Sequence, residues 1–537
     1  MAHSHFRVPS RFRPQPLAAV GRTLGLTLFL AAALVLPLPS LVAQSPAYIP
    51  LDDPVTALVD ALVARGEFPS LSALERPYRA GDVRAALDRS AADSTQARRG
   101  PARWYSAVAR AVALYSDTTR AAPTRALRVG AMINPFVTAQ TTGRREIMLA
   151  DTVGRGGYPG ADVRLSMEAP SFAAVTRLRI DKALEKDPEF AGKSDRVIAA
   201  RMEDAYIATR WTYVALDAGR LARNWGPPQL QGMQLSNYAD SYDHVQLRLG
   251  VDRLHLTTIA ARLDDIRVAT DTVAQRYFTI HRLAARWRQL ELAASEAVVY
   301  GGPARGFQPG LANPVALYDL AQYDEKQSLN ASYGLDVALR TSGRGLYSAQ
   351  LLVDDFQLDR CGAVCTEPAS LGGTLSAEAV PLSLGDAVGF GSYTRIDNLT
   401  YRTVSPWERY TTLNLSLGRG QVDYDELRAG VELAPPLGGP LRVYAAVRRQ
   451  GEGDYRLRFP RIAEYPDTPT IFAGVVERVR RVGATWSGSG RVSFLADLGY
   501  QTTSNADHVA GRTRSGLEGR VKISLTPGLR FGGVVNE

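Results

Sequence analysis

One connection between two strand-like runs carries side chains suited to holding a flat polar ligand. It contains Arg223, Asn224 and Trp225, and the rigid Gly226-Pro227 pair follows. An indole can stack on the apolar face of a pyranose while guanidinium and amide groups hydrogen-bond its hydroxyls. A structural interpretation competes, in which Arg and Asn satisfy main-chain groups and carboxylates inside a barrel and Trp is packing. The sequence leaves both interpretations open.

The residues on either side of this connection predict strands. Residues 205–216 (AYIATRWTYVAL) are rich in aromatic and β-branched side chains, and apolar residues alternate with others over 245–251. Proline interrupts strand pairing because it lacks an N–H donor. The connection is therefore expected to be long, ordered and irregular.

Three pieces of the chain resemble the capsule assembly Wzi family of outer-membrane proteins. The first is Arg223-Asn224-Trp225-Gly226-Pro227 with Leu-Ser-Asn at 235–237, and the others are SEAVVYGG at 295–302, leading to Asn-Pro at 313–314, and LLVDDF at 351–356. The positions in these motifs that are candidates for polysaccharide-binding or lumenal roles are Arg223, Asn224, Trp225, Glu296, Tyr300, Asp354 and Asp355. The helical segment RPYRAGDV at 76–83 is also similar to this family.

The resemblance implies both a place and a function. The protein is expected in a bacterial outer membrane, in contact with lipid and lipopolysaccharide, as a monomer. It is expected to bind capsular or other surface polysaccharide and to help capsule assembly or anchoring without catalysis. The alternative is an outer-membrane porin or substrate-specific channel.

The N-terminus predicts a secretory leader over residues 1–43. Basic residues precede an apolar run from Leu24 to Leu38 that is too short and too Pro-terminated for a comfortable membrane helix. Without the four leader arginines the chain has 59 basic and 54 acidic residues. This excess of positive charge is too small to indicate binding to nucleic acid. Beyond residue 43 no apolar run reaches about 18 residues, the length of a spanning helix.

The two cysteines, Cys361 and Cys365, lie four positions apart in a turn-like stretch of an exported chain. They are expected to form a loop disulfide. The few histidines of the mature chain lack ligand spacing to these thiols, so neither a metal nor a cofactor is predicted.

Residues 44–125 show helical periodicity. Helices are predicted after Asp53-Pro54 with Gly66 as the stop, near Gly81, and after Gly100-Pro101. Such a bundle is too small to bury a core alone and must dock on something larger. The resemblance places it at the periplasmic mouth of a barrel, as a plug whose removal would raise conductance.

From residue 126 to 537 the apolar period is two, as in Leu329–Leu339 and Val492–Tyr500. The predicted fold class is an all-β transmembrane barrel of about 16–18 antiparallel strands with a small N-terminal α-helical bundle. Thr411–Leu417 is expected to be a strand, Gly516–Phe531 the closing strand and Arg196–Met202 a short helix. The candidate extracellular loops are 142–160, 301–327, 360–373, 402–408 and 451–470.

No nucleophile elbow, phosphate loop or metalloprotease motif occurs, and histidine is scarce. Paired carboxylates occur at Asp264-Asp265, Asp354-Asp355 and Asp423/Asp425/Glu426. Neighbours on a regular strand point to opposite faces, so adjacent carboxylates there cannot share one site. The sequence therefore favours a binding protein over an enzyme.

Overall fold

The computed structural model describes residues 46–92, 100–115, 127–151, 153–193, 195–196, 198–320, 327–355 and 368–535. The predicted leader lies outside these residues and stays a prediction, as do the domain boundaries after residues 43 and 125. Cys361 and Cys365 also lie outside them, so their disulfide stays a prediction.

Three α-helices precede the strands: α1 (Pro54–Ala64), α2 (Ala80–Ala92) and α3 (Ala102–Tyr115). Asp53 caps α1 by accepting the Val55 N–H at 2.8 Å, and Gly66, with φ of 79°, lies just past its end. Apolar side chains of all three helices are buried in one cluster. Among the residues described, no helix is long and apolar enough to cross a membrane.

The strands are numbered β1 to β22 in chain order. They are β1 (Leu127–Gln140), β2 (Gly156–Ala169), β3 (Phe172–Asp181), β4 (Ala200–Arg210), β5 (Val214–Arg220), β6 (Asp243–Val251), β7 (Leu254–Arg262), β8 (Ile266–Ala269), β9 (Thr272–Trp287), β10 (Leu290–Pro303), β11 (Asn330–Thr341), β12 (Gly345–Asp355), β13 (Ser370–Pro381), β14 (Val388–Ile396), β15 (Thr411–Thr412), β16 (Leu415–Ser416), β17 (Tyr424–Leu433), β18 (Leu441–Gln450), β19 (Glu477–Gly488), β20 (Val492–Ser504), β21 (Thr513–Leu525) and β22 (Leu529–Val535). Short 3-10 turns lie at Ile147–Leu149, Lys182–Lys186, Pro309–Ala312, Pro406–Glu408, Ile462–Asp467 and Ala506–His508.

The antiparallel sheet closes into a barrel because β1 pairs with β2 on one side and with β21 and β22 on the other. β7 and β8 pair with successive parts of β9, just as β21 and β22 pair with successive parts of β1. Each of these two pairs fills one position, so the described residues form an 18-strand barrel. The predicted fold class is confirmed. The expected closing strand is in fact broken at Pro527, which has no N–H to donate to the ladder.

The barrel wall is apolar outside and polar inside. In β18, Val443 and Val447 are 44% and 46% exposed, whereas Arg442 and Arg448 on the other face are 8% and 1% exposed. A water-soluble protein buries its valines and exposes its arginines. The reversed pattern fits a wall that faces lipid and encloses a polar interior.

The two ends of the barrel differ in the length of their connections. At the short-turn end, neighbouring strands are joined by two to seven residues, from 170–171 to 434–440. At the long-loop end the largest connections are 221–242, 304–329, 397–423 and 451–476. Short turns are periplasmic and long loops extracellular in barrels of this kind.

The helices lie at the short-turn end. Asp82 of α2 pairs with Arg210 at the end of β4, and the Arg340 guanidinium at the end of β11 donates to the Leu71 carbonyl at 2.7 Å. Leu58 of α1 lies against Gly439 in the connection between β17 and β18. The helices that are predicted to plug the barrel therefore lie at its short-turn end.

Two long connections turn inward and enter the barrel. The lumenal turn (221–242) and the lumenal loop (397–423) share one buried cluster with wall residues of β7, β9, β10, β12, β14 and β17. The expected strand over Thr411–Leu417 is wrong, because only the hairpin of β15 and β16 forms there, inside the barrel. The helix expected at Arg196–Met202 is wrong from Ala200 onward, where pairing with β3 imposes a strand.

Candidate functional site

The lumenal turn and the helical segment meet through main-chain and side-chain bonds. Arg76 and Asn224 form an isolated antiparallel bridge, with N···O distances of 2.9 and 3.1 Å. The Arg76 guanidinium also donates to the Gly226 carbonyl and to the Asp60 carboxylate, the latter at 2.8 Å. The segments that enter from the two ends of the barrel are thus joined in its interior.

Asn224 shapes the turn from within. Its Nδ2 donates to the Leu230 carbonyl at 2.8 Å, and its Oδ1 accepts the Gly232 N–H at 2.6 Å. A Cβ atom at Gly226 would lie 2.8 Å from the Gly232 main chain, which explains the glycine at that position. Both polar ends of the Asn224 amide are therefore engaged by this chain's own main chain.

Arg223 lies in a buried polar cluster. It donates to Asp217 at 3.1 Å and to His244 Nε2 at 2.9 Å, and its guanidinium carbon lies 5.4 Å from the centre of the Tyr48 ring. Tyr48 donates to the same Asp217 carboxylate at 2.8 Å. Arg223 therefore ties the residues just before α1 to strands β5 and β6.

The Trp225 side chain is packed in the interior rather than exposed to a ligand. Its side chain belongs to the buried cluster and is 4% exposed, and the Arg282 guanidinium lies 5.2 Å from its ring centre. Its main-chain N–H donates to Leu235 and its carbonyl accepts Gln350 Nε2 at 3.0 Å. With little ring surface open, this geometry favours the packing interpretation. A sugar contact by this residue stays a prediction.

Glu296 anchors a segment of the loop between β10 and β11. Its carboxylate accepts the N–H groups of Tyr318 at 2.9 Å and Asp319 at 2.7 Å, and it lies 3.2 Å from His281 Nε2. Tyr300, four residues on and fully buried, accepts the Gln308 N–H at 3.2 Å. Both residues hold this loop to the wall.

Asp354 holds the lumenal loop to β12. Its carboxylate accepts the Tyr401 N–H at 2.6 Å. Asp355 ends β12 opposite Ser370, with a bulge between Val353 and Asp355. The family-like positions do not converge on one pocket. Arg223, Asn224 and Trp225 share the lumenal turn. Glu296 and Tyr300 hold the loop between β10 and β11, and Asp354 holds the lumenal loop.

Two tyrosines inside the lumenal loop were missed by sequence reasoning. Tyr401 and Tyr410 stack with ring centres 5.3 Å apart, and their hydroxyls donate to the main-chain carbonyls of Met233 and Gln234 in the lumenal turn. Burial raises the pKa of both phenols, which keeps these donors protonated. The apolar content of residues 397–423 indicates burial, but it is equally compatible with a membrane-spanning strand.

Arg276 was also missed, and it fastens the lumenal loop to β9. Its guanidinium donates to the carbonyls of Trp407 at 3.1 Å, Arg409 at 2.5 Å and Thr411 at 2.9 Å, and it pairs with Asp264 at 3.2 Å. Five donors in a planar fork suit a loop whose carbonyls converge. A single arginine in a strand gives no sequence signal for this role.

Replacing Arg276 should release the lumenal loop. Arg276→Met keeps much of the side-chain volume but leaves three carbonyls without their donor, at about 1–3 kcal/mol for each buried group. We expect trypsin to cut after Arg402, Arg409 or Arg419 in the folded variant and not in the parent. Arg262→Met, which removes an exposed pair with Asp265, is the control and should remain resistant. Equal resistance of both variants would mean that packing alone holds the loop.

Four of the arginines in the described part of the barrel wall are almost completely buried in the interior. Arg276, Arg282, Arg448 and Arg481 face inward and are each at most 1% exposed. An open porin of 16–18 strands instead leaves a water-filled channel. Fold and interior together define a transmembrane β-barrel whose lumen is filled by its own chain.

Residues 160–375 match the family described as capsule assembly protein Wzi, so the resemblance seen in the sequence is confirmed. In structure the chain is similar to Escherichia coli Wzi, described as an outer membrane protein involved in group 1 capsule assembly and a carbohydrate binding β-barrel. The TM-score is 0.54 and the identity 13%, with 90% of this chain and 99% of that chain covered. At this identity the likeness is one of fold.

Other structural matches are weaker. Pseudomonas aeruginosa OccD3 (OpdP) matches at a TM-score of 0.41 and 10% identity, with 78% of this chain and 93% of that chain covered. Pseudomonas aeruginosa OprD matches at 0.41 and 10%, with 76% and 96% covered. No curated protein matches the chain in sequence.

Proposed function

We propose that this protein is a bacterial outer-membrane β-barrel that binds surface polysaccharide and helps capsule assembly or anchoring without catalysis. The family match over residues 160–375 supports this, because that span includes the whole lumenal turn. The fold of Escherichia coli Wzi, described as a carbohydrate binding β-barrel, supports it further. We further propose a monomer surrounded by lipid and lipopolysaccharide, as its apolar outer wall suggests.

The observation that carries the proposal is the filled interior. The helices enter from the short-turn end and the lumenal turn and loop from the other, and they bond to one another inside. Such a barrel has little use as a route for solute. Its long-loop end is then the surface available for function, which favours binding over the porin alternative.

The long loops are clamped to one another. Arg145 bonds Asp187 at 2.7 Å and Asp240 at 2.8 Å, and Arg456 lies 3.5 Å from Glu189. These ion pairs join the connections 141–155, 182–199, 221–242 and 451–476, and most of their side chains are at least four-fifths buried. A pre-formed surface loses less entropy on binding an extended polymer than a mobile one.

Three of the paired carboxylates, Asp264, Asp265 and Asp423, are engaged in structural bonds, which supports a non-catalytic role. Asp264 accepts the Leu413 N–H at 2.7 Å, whereas Asp265 pairs with the exposed Arg262. Asp423 accepts main-chain N–H groups from Gly453, Phe472 and Ala473. A glycosidase needs two carboxylates facing one bond, roughly 5–9.5 Å apart and free to act.

Polysaccharide retention tests the proposal directly. Deleting the gene should release surface polysaccharide into the medium, and the purified barrel should bind polysaccharide from the same cells but not dextran. Oligosaccharide size should stay constant during the incubation, because no bond is broken. A barrel that binds neither polymer, in cells that retain their surface polysaccharide after deletion, would contradict the proposed function.

A further inference from the structure

An open cleft lies at the long-loop end between the lumenal loop and the connection 451–476. Its volume is about 480 Å³, within the range of small-ligand clefts, roughly 300–1,000 Å³. The residues that line it are Asn398, Arg402, Leu457, Arg458, Pro460, Glu464, Asp467, Thr468 and Pro469. None of them belongs to the family-like motifs.

The walls of the cleft are held by main-chain bonds. Asn398 donates its N–H to the Thr470 carbonyl at 2.8 Å and its Nδ2 to the Pro469 carbonyl at 3.1 Å. Thr403 and Arg458 form a parallel bridge, in which the Phe459 N–H donates to Thr403 at 3.0 Å. These bonds hold the two segments at a fixed separation, so the cleft is part of the folded structure.

Arg402 forms part of the wall and retains unused donor capacity. Its guanidinium donates to Asn398 Oδ1 at 3.1 Å and to the Arg458 carbonyl, while its buried Nε has no hydrogen-bond partner in the described part of the chain. No carboxylate of the described residues forms an ion pair with it within 4.0 Å. Burial lowers the pKa of Arg402, and the carboxylates of Asp423 and Asp454 oppose this effect only in part.

Donors and acceptors are balanced around the opening. Arg402 and Arg458 supply cationic donors, and Glu464 and Asp467 supply carboxylate acceptors. Arg458 and Glu464 form a half-exposed pair at 3.1 Å on the rim. With two charges of each sign, the cleft has no net attraction for an ion but many partners for hydroxyl groups, each of which both donates and accepts.

We propose that this cleft binds one or two pyranose units of the surface polysaccharide, recognising their hydroxyl groups rather than a charged substituent. The inference rests on the proposed function and assigns it a location. Leu457, Pro460 and Pro469 offer apolar contacts for the C–H face of the ring, and the charged side chains bond its hydroxyls.

The test measures the affinity of the full-length barrel for oligosaccharides released from the cells' own surface polysaccharide, before and after chemical reduction of their carboxyl groups. The double variant Arg458→Ala, Asp467→Asn changes only exposed side chains and should weaken binding of both preparations on the order of tenfold. Arg512→Ala, which removes a similar exposed pair with Asp507 at the same end, is the control and should bind like the parent.

The outcomes distinguish failure of the cleft assignment from failure of the proposed function. If the parent binds and the double variant binds equally well, the cleft assignment is overturned while the proposed function stands. If carboxyl reduction of the sugar abolishes binding by the parent, recognition is ionic and the hydroxyl assignment is overturned. A parent that binds no oligosaccharide removes the proposed function and the cleft together.

Discussion

Deleting residues 52–116 alone should leave the barrel nearly silent in a planar bilayer. Replacing residues 398–422 with a short Gly-Ser linker should by itself also change little. The two changes together should produce open-channel steps, with conductance higher by on the order of tenfold or more, because only the lumenal turn then remains inside a barrel wide enough for a water-filled channel. The expected effect is therefore strongly non-additive.

The physical reason is that the two plugs act in series. The helices pack against inward residues near the short-turn end, including Met132, Leu346 and Val388. The lumenal loop packs closer to the long-loop end, against Phe278, Ile280 and other wall residues of the buried cluster that it shares with the lumenal turn. A path through two constrictions conducts no better than the narrower one, so after removal of either constriction the other still limits the conductance.

Heat-modifiable gel mobility provides the control, because each variant must be a closed barrel before its conductance has meaning. The Gly-Ser replacement should be made in the full-length chain and in the helix deletion, so that the two arms share one linker. Large steps from the helix deletion alone would contradict the series arrangement and restore the simpler picture, in which the helices are the whole plug. Silence of the doubly changed barrel would show that the lumenal turn or another loop blocks the lumen.

The barrel itself could be predicted from the sequence because its signal repeats. Period-two alternation along strands such as β11 and β20 reports a wall with lipid on one side, whatever fills the interior. The helices could also be predicted from the sequence. Asp53-Pro54 and Gly66 mark the two ends of α1 because helix capping depends on residues only a few positions apart. Capping residues and repeated apolar patterns can be recognised in the sequence without knowledge of tertiary contacts.

The interior could not be predicted, because its signals depend on distant partners. Thr411–Leu417 carries strand-like residues, yet it lies in the lumen because Arg276, far away in sequence, binds the carbonyls around it. Arg223 and Trp225 look the same in sequence whether they face a sugar or a neighbouring wall. Only the structure shows the contacts with Asp217 and Arg282 that favour the packing interpretation.

Trp225→Ala should lower the unfolding temperature of the barrel and leave polysaccharide retention unchanged below that temperature. Loss of a fully packed indole costs about 3–5 kcal/mol through lost burial and the cavity that remains. That cavity would adjoin the buried Arg282, which pairs with Asp336 and lies 3.5 Å from Glu75 on the helical side. A loosened Trp225 site would therefore weaken the contact between the lumenal turn and the plug.

The matched control for this prediction is Trp287→Ala, because Trp287 is 58% exposed on the outer wall and touches neither plug. Its removal should shift the heat-modifiability midpoint much less than removal of Trp225, although both variants lose the same side chain. Retention is measured on intact cells well below both midpoints, where each barrel is folded. If Trp225→Ala kept the parental midpoint but shed polysaccharide, the indole would be reaching ligand despite its burial. The lumenal turn would then have to open during binding, and trypsin sensitivity of that turn should rise when polysaccharide is added.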